Sequence, residues 1–251
     1  MKLRYAAVIM DTHRPYHDQR AYNLLLRVMK DLPSLDEIVL IGDYGEFISV
    51  GSHPKDPDLE GLLSNELKSV NDGLDQLDKL FPRSKKVFIE GNHEYRLSRF
   101  IRDKAPQLYG SIDAKRLLRI DERRDWKWVP YGPDQQHKVL GSKLYARHEP
   151  SGGGEHCAAG TVKKSGCSVI FGHVHRIQEF QTVMLNGQNH RGITSGWLGD
   201  KNHKVFRYVK NHWQWALGSN IVTVLPDGSF FANTVHIIDY KCIYGGKLYV
   251  G

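Results

Sequence analysis

The sequence predicts a layered α/β fold, and three observations carry that prediction. Apolar runs of strand length alternate with helical apolar periodicity through the first half of the chain. The second half breaks into short β segments separated by turn residues. At 251 residues, with 40% hydrophobic and 25% charged, the chain has the size and composition of one well-buried globular domain. No repeat, low-complexity tract or long linker divides it, so a single domain over residues 1–251 is expected.

The elements follow in order. Tyr5 to Met10 is a continuous apolar segment ending at Asp11, which reads as a buried strand. Ala21, Leu24, Leu25, Val28, Met29 and Leu32 recur at helical spacing before the turn residues Pro33 and Ser34. Glu37 to Ile41 is a second strand. After the loop Gly51-Ser52-His53-Pro54, Leu59, Leu62, Leu63, Leu67, Val70, Leu74 and Leu77 place a helix over about residues 58–79. Lys85 to Ile89 is a third strand, and helices are expected near Glu94 to Lys104 and near Ser111 to Leu118. Strands are then expected at Trp126 to Pro130, Lys138 to Arg147, Ser168 to Phe171, Glu179 to Met184, Gly192 to Trp197, Ile221 to Leu225 and Phe230 to Ile238. Leu225-Pro226-Asp227-Gly228-Ser229 and Tyr244-Gly245-Gly246-Lys247 are hairpin signals.

Charge and cysteine usage narrow the function classes. The formal net charge of +7 favours a polyanionic partner such as nucleic acid, although a solvated basic surface accounts for it equally well. Three cysteines, Cys157, Cys167 and Cys242, have no C-x-x-C spacing and propose neither a disulfide framework nor a cysteine zinc site; a reducing cytoplasm suits them. No apolar stretch reaches the length of a signal core or a membrane span, so a soluble, unprocessed chain with no membrane partner is expected.

Four clusters of metal-ligand residues fall where strands run out: Asp11-Thr12-His13, Gly42-Asp43, Gly91-Asn92-His93-Glu94 and Gly172-His173-Val174-His175. In an open parallel sheet such positions share the rim beyond the carboxyl ends of the strands. Asp11 and His13, two apart, can face one cation. Asp43 can bridge two ions with one carboxylate, Asn92 offers a neutral amide oxygen, and diverging His173 and His175 can reach different ions. Oxygen ligands mixed with imidazoles suit a pair of divalent transition ions, a recurring device for hydrolysing phosphate esters.

With the isolated His148 and with Glu46 of Gly42-Asp43-x-x-Glu46, these strings form an ordered series that resembles the calcineurin-like metallophosphoesterases. The likeness runs from Asp11 to His175, about two thirds of the chain. It implies a four-layer αββα sandwich, in which two mixed β-sheets pack face to face with helices outside. Carried over, it puts Asp11, His13, Asp43 and His175 on one metal, and Asn92, His148 and His173 on the second, with Asp43 shared. His93 is then no ligand but the histidine that protonates the leaving alkoxide or stabilises the transition state, and Glu46 orients it. Such a carboxylate partner favours the acid form of the histidine. Glu94 supports the loop.

One position departs from the family pattern: His148 is followed by Glu149-Pro150 where glycine is usual, and His156 and the more distant His137 are its rivals. Two divalent ions, Mn²⁺ first and Fe or Zn²⁺ as substitutes, are expected to share a bridging hydroxide that attacks phosphorus in line, with no covalent enzyme intermediate. The substrate is expected to be a phosphodiester in nucleic acid or a nucleotide. The alternatives are a protein or small-molecule phosphomonoesterase and a non-catalytic nucleic-acid-binding module.

Further residues are weighed against ordinary structural roles. His17 shares the first ligand loop and is a candidate substrate contact. Arg96, one turn after His93, is a candidate for a phosphate oxygen or else for a surface ion pair. His53, His190, His203, His212 and His236 are expected to be structural or surface residues. Trp197, Tyr208, Trp213 and Trp215, interspersed with Lys201, Lys204, Arg207 and Lys210, resemble a base-stacking mix but are expected to be core. Arg119, Arg123 and Arg124 among Asp121, Glu122 and Asp125 are expected to be solvated.

Overall fold

The computed structural model describes residues 2–52, 62–152, 154–207, 209 and 212–251; His53, Leu59, Gly153, Tyr208 and Lys210 fall outside them. Strand β1 (Arg4–Ile9) leads through α1 (Gln19–Lys30) to β2 (Glu37–Leu40), α2 (Leu63–Leu80), β3 (Lys85–Ile89), α3 (Tyr95–Lys104), α4 (Ala114–Leu117) and β4 (Trp126–Val129). Then come β5 (His137–Lys138), β6 (Leu144–Arg147), α5 (Cys157–Ser165), β7 (Ser168–Phe171), β8 (Ile177–Val183) and β9 (Asn189–Ser195). The chain closes with β10 (Gly218–Val224), β11 (Phe230–His236) and the hairpin β12 (Lys241–Tyr244) and β13 (Lys247–Val250).

The strands assemble into two large mixed sheets. The six-stranded sheet has the order β11-β10-β1-β2-β3-β4, and the five-stranded sheet β5-β6-β7-β9-β8. β1 to β4 run parallel, with β10 antiparallel beside β1, and β6, β7 and β9 run parallel in the second sheet. Period-two alternation sorts the strand residues between two cores. Val8, Val39, Ile89, Ala146, Ile170 and Val222 meet between the sheets. Ile9, Ile38, Leu40, Phe88 and Ile221 face the other way, onto Leu25, Met29, Val70, Leu74 and Leu97 of α1, α2 and α3. On the far side, Cys157 and Ala158 of α5 pack on Val169 and Phe171. The result is the αββα layering.

Helix α1 starts where Asp18 accepts the amide proton of Ala21 at 3.0 Å, an N-cap that satisfies one orphan donor. Among the described residues no helix is long and apolar enough to cross a membrane.

The structure departs from the expected elements in several places. The segment 138–147 is not one strand: Leu140 and Gly141 take φ of 50° and 67°, and the resulting turn separates β5 from β6. Helix α5 has no counterpart in the sequence reading, because its buried face of Cys157, Ala158, Thr161 and Val162 is built from small residues that leave a weak apolar stripe. Arg123 is not solvated. Its side chain is buried against α2, 2.6 Å from Asp75 and 2.9 Å from Asp78. The tryptophans divide: Trp197 is fully buried, Trp215 half-buried and Trp213 exposed. Both hairpins form, with Gly245 and Gly246 at positive φ in the second turn.

Candidate metal centre

The carboxyl ends of β1, β2 and β3 in one sheet and of β6 and β7 in the other converge on a single rim, which brings together residues up to 164 positions apart. There Asp11, His13 and His175 form one group of converging ligand atoms, and Asp43, His148 and His173 form another. Within each group the atoms lie within 4.8 Å of one another.

In the first group, His13 Nε2 and His175 Nε2 stand 3.0 Å apart. At that spacing both nitrogens could reach one ion at the ordinary metal–imidazole distance of about 2.0 to 2.1 Å. Asp11 presents Oδ2 with no hydrogen-bond partner although it is buried, while Oδ1 accepts the amide proton of His173 at 2.8 Å. A buried carboxylate oxygen without a partner is costly, and a cation is the ligand that suits it.

In the second group, Asn92 Oδ1 sits 2.8 Å from His148 Nε2 and 2.9 Å from His173 Nδ1. Asp43 Oδ2 is 3.3 Å from His148 Nε2, and Oδ1 accepts the amide proton of His93 at 2.9 Å. Both donor sets, carboxylate and amide oxygens with imidazole nitrogens, fit divalent transition ions.

The imidazoles are aimed from behind. His148 Nδ1 donates to the Ile41 carbonyl at 2.8 Å and His13 Nδ1 to Glu46 Oε2 at 2.7 Å, which leaves Nε2 of each ring facing the cluster. The backbone is held in a conformation that non-glycine residues seldom adopt: φ is 55° at His13, 48° at Asp43, 70° at His173 and 57° at His175. Close packing adds its own demand. A Cβ on Gly42, itself at φ 91°, would lie 2.5 Å from His148 Nδ1, and one on Gly172 would lie 2.5 Å from Asp11 Oδ2.

The electrostatics match this crowding. Burial opposes ionisation of Asp43, but the His148 and His93 imidazoles pull its pKa well below the usual carboxylate range. Burial is likewise overcome at Asp11, lowered by His175, and at His148, raised to about 10 mainly by Asp43. His175 is held neutral by burial, down to about 4.

The remaining candidates fall into place around these groups. His148 is fully buried at the rim, whereas His156 is exposed at the start of α5 and His137 Nε2 lies 3.1 Å from Glu37. Glu46 is buried between two histidines, with Oε1 3.2 Å from His93 Nδ1. His93 Nδ1 also donates to the Glu46 carbonyl at 3.0 Å. Arg96 is not on the surface. It donates from Nη1 to Glu46 Oε1 at 3.1 Å and to the Glu46 carbonyl at 2.9 Å, and its Nη2 meets His93 Nε2 at 2.8 Å. His17 is spent locally: Nδ1 meets the Pro15 carbonyl at 3.3 Å and Nε2 meets Gln19 Oε1 at 2.9 Å. Neither contact reaches the ligand groups.

Glu94 braces the loop, the role its motif position implies, whereas Gln135 and the packing of Trp197 on His175 have no counterpart in the sequence reading. Glu94 accepts three backbone amides, from Gly91, Asp43 and Gly45, at 2.8 to 3.0 Å. Burial and the Asp43 carboxylate still push it up to about 7. Gln135 accepts the amide proton of His148 at 2.9 Å and donates to the Glu90 carbonyl at 2.7 Å. Trp197 stacks on His175, ring centroids 4.9 Å apart, with Trp215 edge-on at 4.4 Å. Gly196-Trp197 directly after β9 was the available signal for that wall.

No protein-family model matches the chain, and no curated protein matches it. Among solved structures, the NAD nucleotidase of Haemophilus influenzae is similar over 99% of this chain and 53% of its own, at 12% identity and a TM-score of 0.43. The chain thus spans about half the length of that protein. A protein of unknown function from Aquifex aeolicus is similar over 68% of this chain and 80% of its own, at 16% identity and a TM-score of 0.32.

Proposed function

We propose that this protein is a dinuclear metal-dependent phosphoesterase of the calcineurin-like kind, acting on phosphodiesters in nucleic acid or nucleotides. The observation that carries this reading is the convergence at one rim of two ligand groups, with Asp11 Oδ2 buried and unpartnered between strand ends. Asp11, His13, Asp43 and His175 would hold one ion, and Asn92, His148 and His173, with Asp43 shared, the other. Bound there, a pair of divalent ions such as Mn²⁺, Fe or Zn²⁺ supplies a nucleophile of lowered pKa and neutralises phosphate oxygens for in-line displacement.

The chain's own part is positioning and proton transfer. His93, held on its Nδ1 side by Glu46, is the proton donor to the leaving oxygen, and Asp43 and Glu46 raise its pKa against the effect of burial. The diester preference rests on the net charge of +7, which attracts a polyanion. A single domain in a reducing, cytoplasmic setting suits the three free cysteines.

The test is a hydrolysis panel with added Mn²⁺: bis-p-nitrophenyl phosphate, p-nitrophenyl phosphate, single- and double-stranded DNA, RNA and cyclic nucleotides, with Asp43→Asn alongside. Metal-dependent turnover of diesters, lost in Asp43→Asn, is the expected result. Two bound ions with no hydrolysis anywhere in the panel would leave a binding module instead.

A further inference from the structure

The residue after His148 departs from the family pattern, and the structure gives Glu149 a partner. Tyr131 donates its hydroxyl to Glu149 Oε1 at 2.6 Å, and its ring stacks on Tyr95, centroids 4.8 Å apart and planes 28° from parallel. Tyr95 in turn accepts from Arg102 Nη1 at 2.9 Å, and Arg102 Nη2 reaches the Tyr109 hydroxyl at 2.8 Å. The main chain is fixed too, because Tyr131 N donates to Glu90 Oε2 at 2.8 Å.

Neither ring serves a core: Tyr95 and Tyr131 are half-buried and belong to none of the apolar clusters among the described residues. Both lie beside the metal centre. Tyr95 is two residues after His93, Glu149 adjoins His148, and Gln135, four residues after Tyr131, accepts the amide proton of His148 at 2.9 Å. A stacked pair of rings, braced at both hydroxyls and flanked by the exposed Arg99, has the make-up of a platform for a further planar ring.

We propose that Tyr131 and Tyr95, braced by Glu149 and Arg102, form a stacking platform for a nucleobase next to the scissile phosphate of a single-stranded nucleic acid, on the His148 side of the site. This deepens the phosphodiesterase reading above and rests on it for the phosphate's position. In this arrangement Glu149 is a positioning residue, acting through Tyr131.

The test separates base stacking from backbone charge. A fluorescein-labelled 12-mer of deoxythymidine and an abasic 12-mer of equal charge are titrated with the full chain in Ca²⁺, with anisotropy as the readout. The base-bearing probe is expected to bind about tenfold or more tightly than the abasic one, the scale of one stacked base. Tyr131→Ala with Tyr95→Ala is expected to bring that ratio close to one. Tyr131→Trp, which keeps a stacking face, is expected to retain it, and Glu149→Gln to reduce it partway.

Equal affinity of the unaltered protein for the two probes, or an undiminished ratio in the folded double alanine variant, would overturn the platform. Its failure is distinct from failure of the catalytic reading. Hydrolysis without base discrimination sinks the platform alone, and discrimination without hydrolysis of any ester sinks only the phosphoesterase.

Discussion

Arg96 Nη2 lies 2.8 Å from His93 Nε2, so Nε2 accepts while the ring is neutral, with the ring proton on Nδ1 facing the Glu46 carbonyl; the proton donation proposed for His93 needs a second ring proton, which Asp43 and Glu46 favour and Arg96 opposes. The guanidinium also neutralises Glu46 at 3.1 Å. One planar group thus spans His93 and the carboxylate that braces it. Arg96→Ala is expected to lower kcat by roughly 10²-fold while both ions stay bound. Arg96→Lys should not recover the rate, because a single ammonium cannot replace the fork. Steady-state kinetics with metal analysis of each variant checks this, and wild-type kcat in the lysine variant would refute it.

His93→Ala and Asp43→Asn are expected to fail differently. Without His93 the ligand groups keep all their members, so metal content should hold at two ions while the rate falls by about 10² to 10⁴. Asp43→Asn weakens the shared ligand and should lose both ions. Elemental analysis after gel filtration distinguishes the two outcomes.

The choice between His148 and His156 is directly testable. His148→Ala should cost the second ion and activity, whereas His156→Ala, altering an exposed side chain at the start of α5, should change neither. Equal losses in both variants would contradict the assignment.

Gly172→Ala places a methyl 2.5 Å from Asp11 Oδ2. Asp11 cannot retreat without releasing the amide proton of His173. The variant should lose about 1 to 3 kcal/mol of stability and bind the first ion poorly. Denaturant melts and a metal titration by calorimetry measure the two effects separately.

Glu90 gives the pH dependence. Burial pushes its pKa up to about 7, against an ordinary value of 4.5. Between those values the folded protein holds a proton that the unfolded chain has released, so its contribution falls as pH rises through the window and is constant outside it. Glu90→Gln keeps an acceptor for Tyr131 N–H and should gain up to about 3 kcal/mol relative to the unaltered protein between pH 4.5 and 7. Urea melts at pH 5 and pH 8 provide the comparison, and an identical difference at both would refute the shift.

Much of the fold was legible because local pattern and burial agree. The runs at Tyr5 to Met10, Glu37 to Ile41 and Lys85 to Ile89 are apolar on both faces, as strands between two layers must be, and each ends at a candidate ligand. Helix α5 carries no such pattern, because its buried Cys157, Ala158 and Thr161 are small and leave only a weak apolar stripe. Arg96 and Arg123 looked like surface charges, since a sequence shows neither the carboxylate of Glu46 nor those of Asp75 and Asp78 that come to meet them.

Residue identity alone determined which groups can ligate cations, because carboxylate, amide and imidazole chemistry is carried within each residue, and the strand ends that deliver them follow from short-range apolar pattern. Tertiary structure decided which of them meet. It turned His148 rather than His156 toward Asp43, buried Arg96 against Glu46, and stacked Tyr131 on Tyr95. Those outcomes depend on strand order and packing across the two sheets, through contacts between residues 36 or more apart for Tyr131 and Tyr95 and over a hundred apart for His148 and Asp43, which no local spacing encodes.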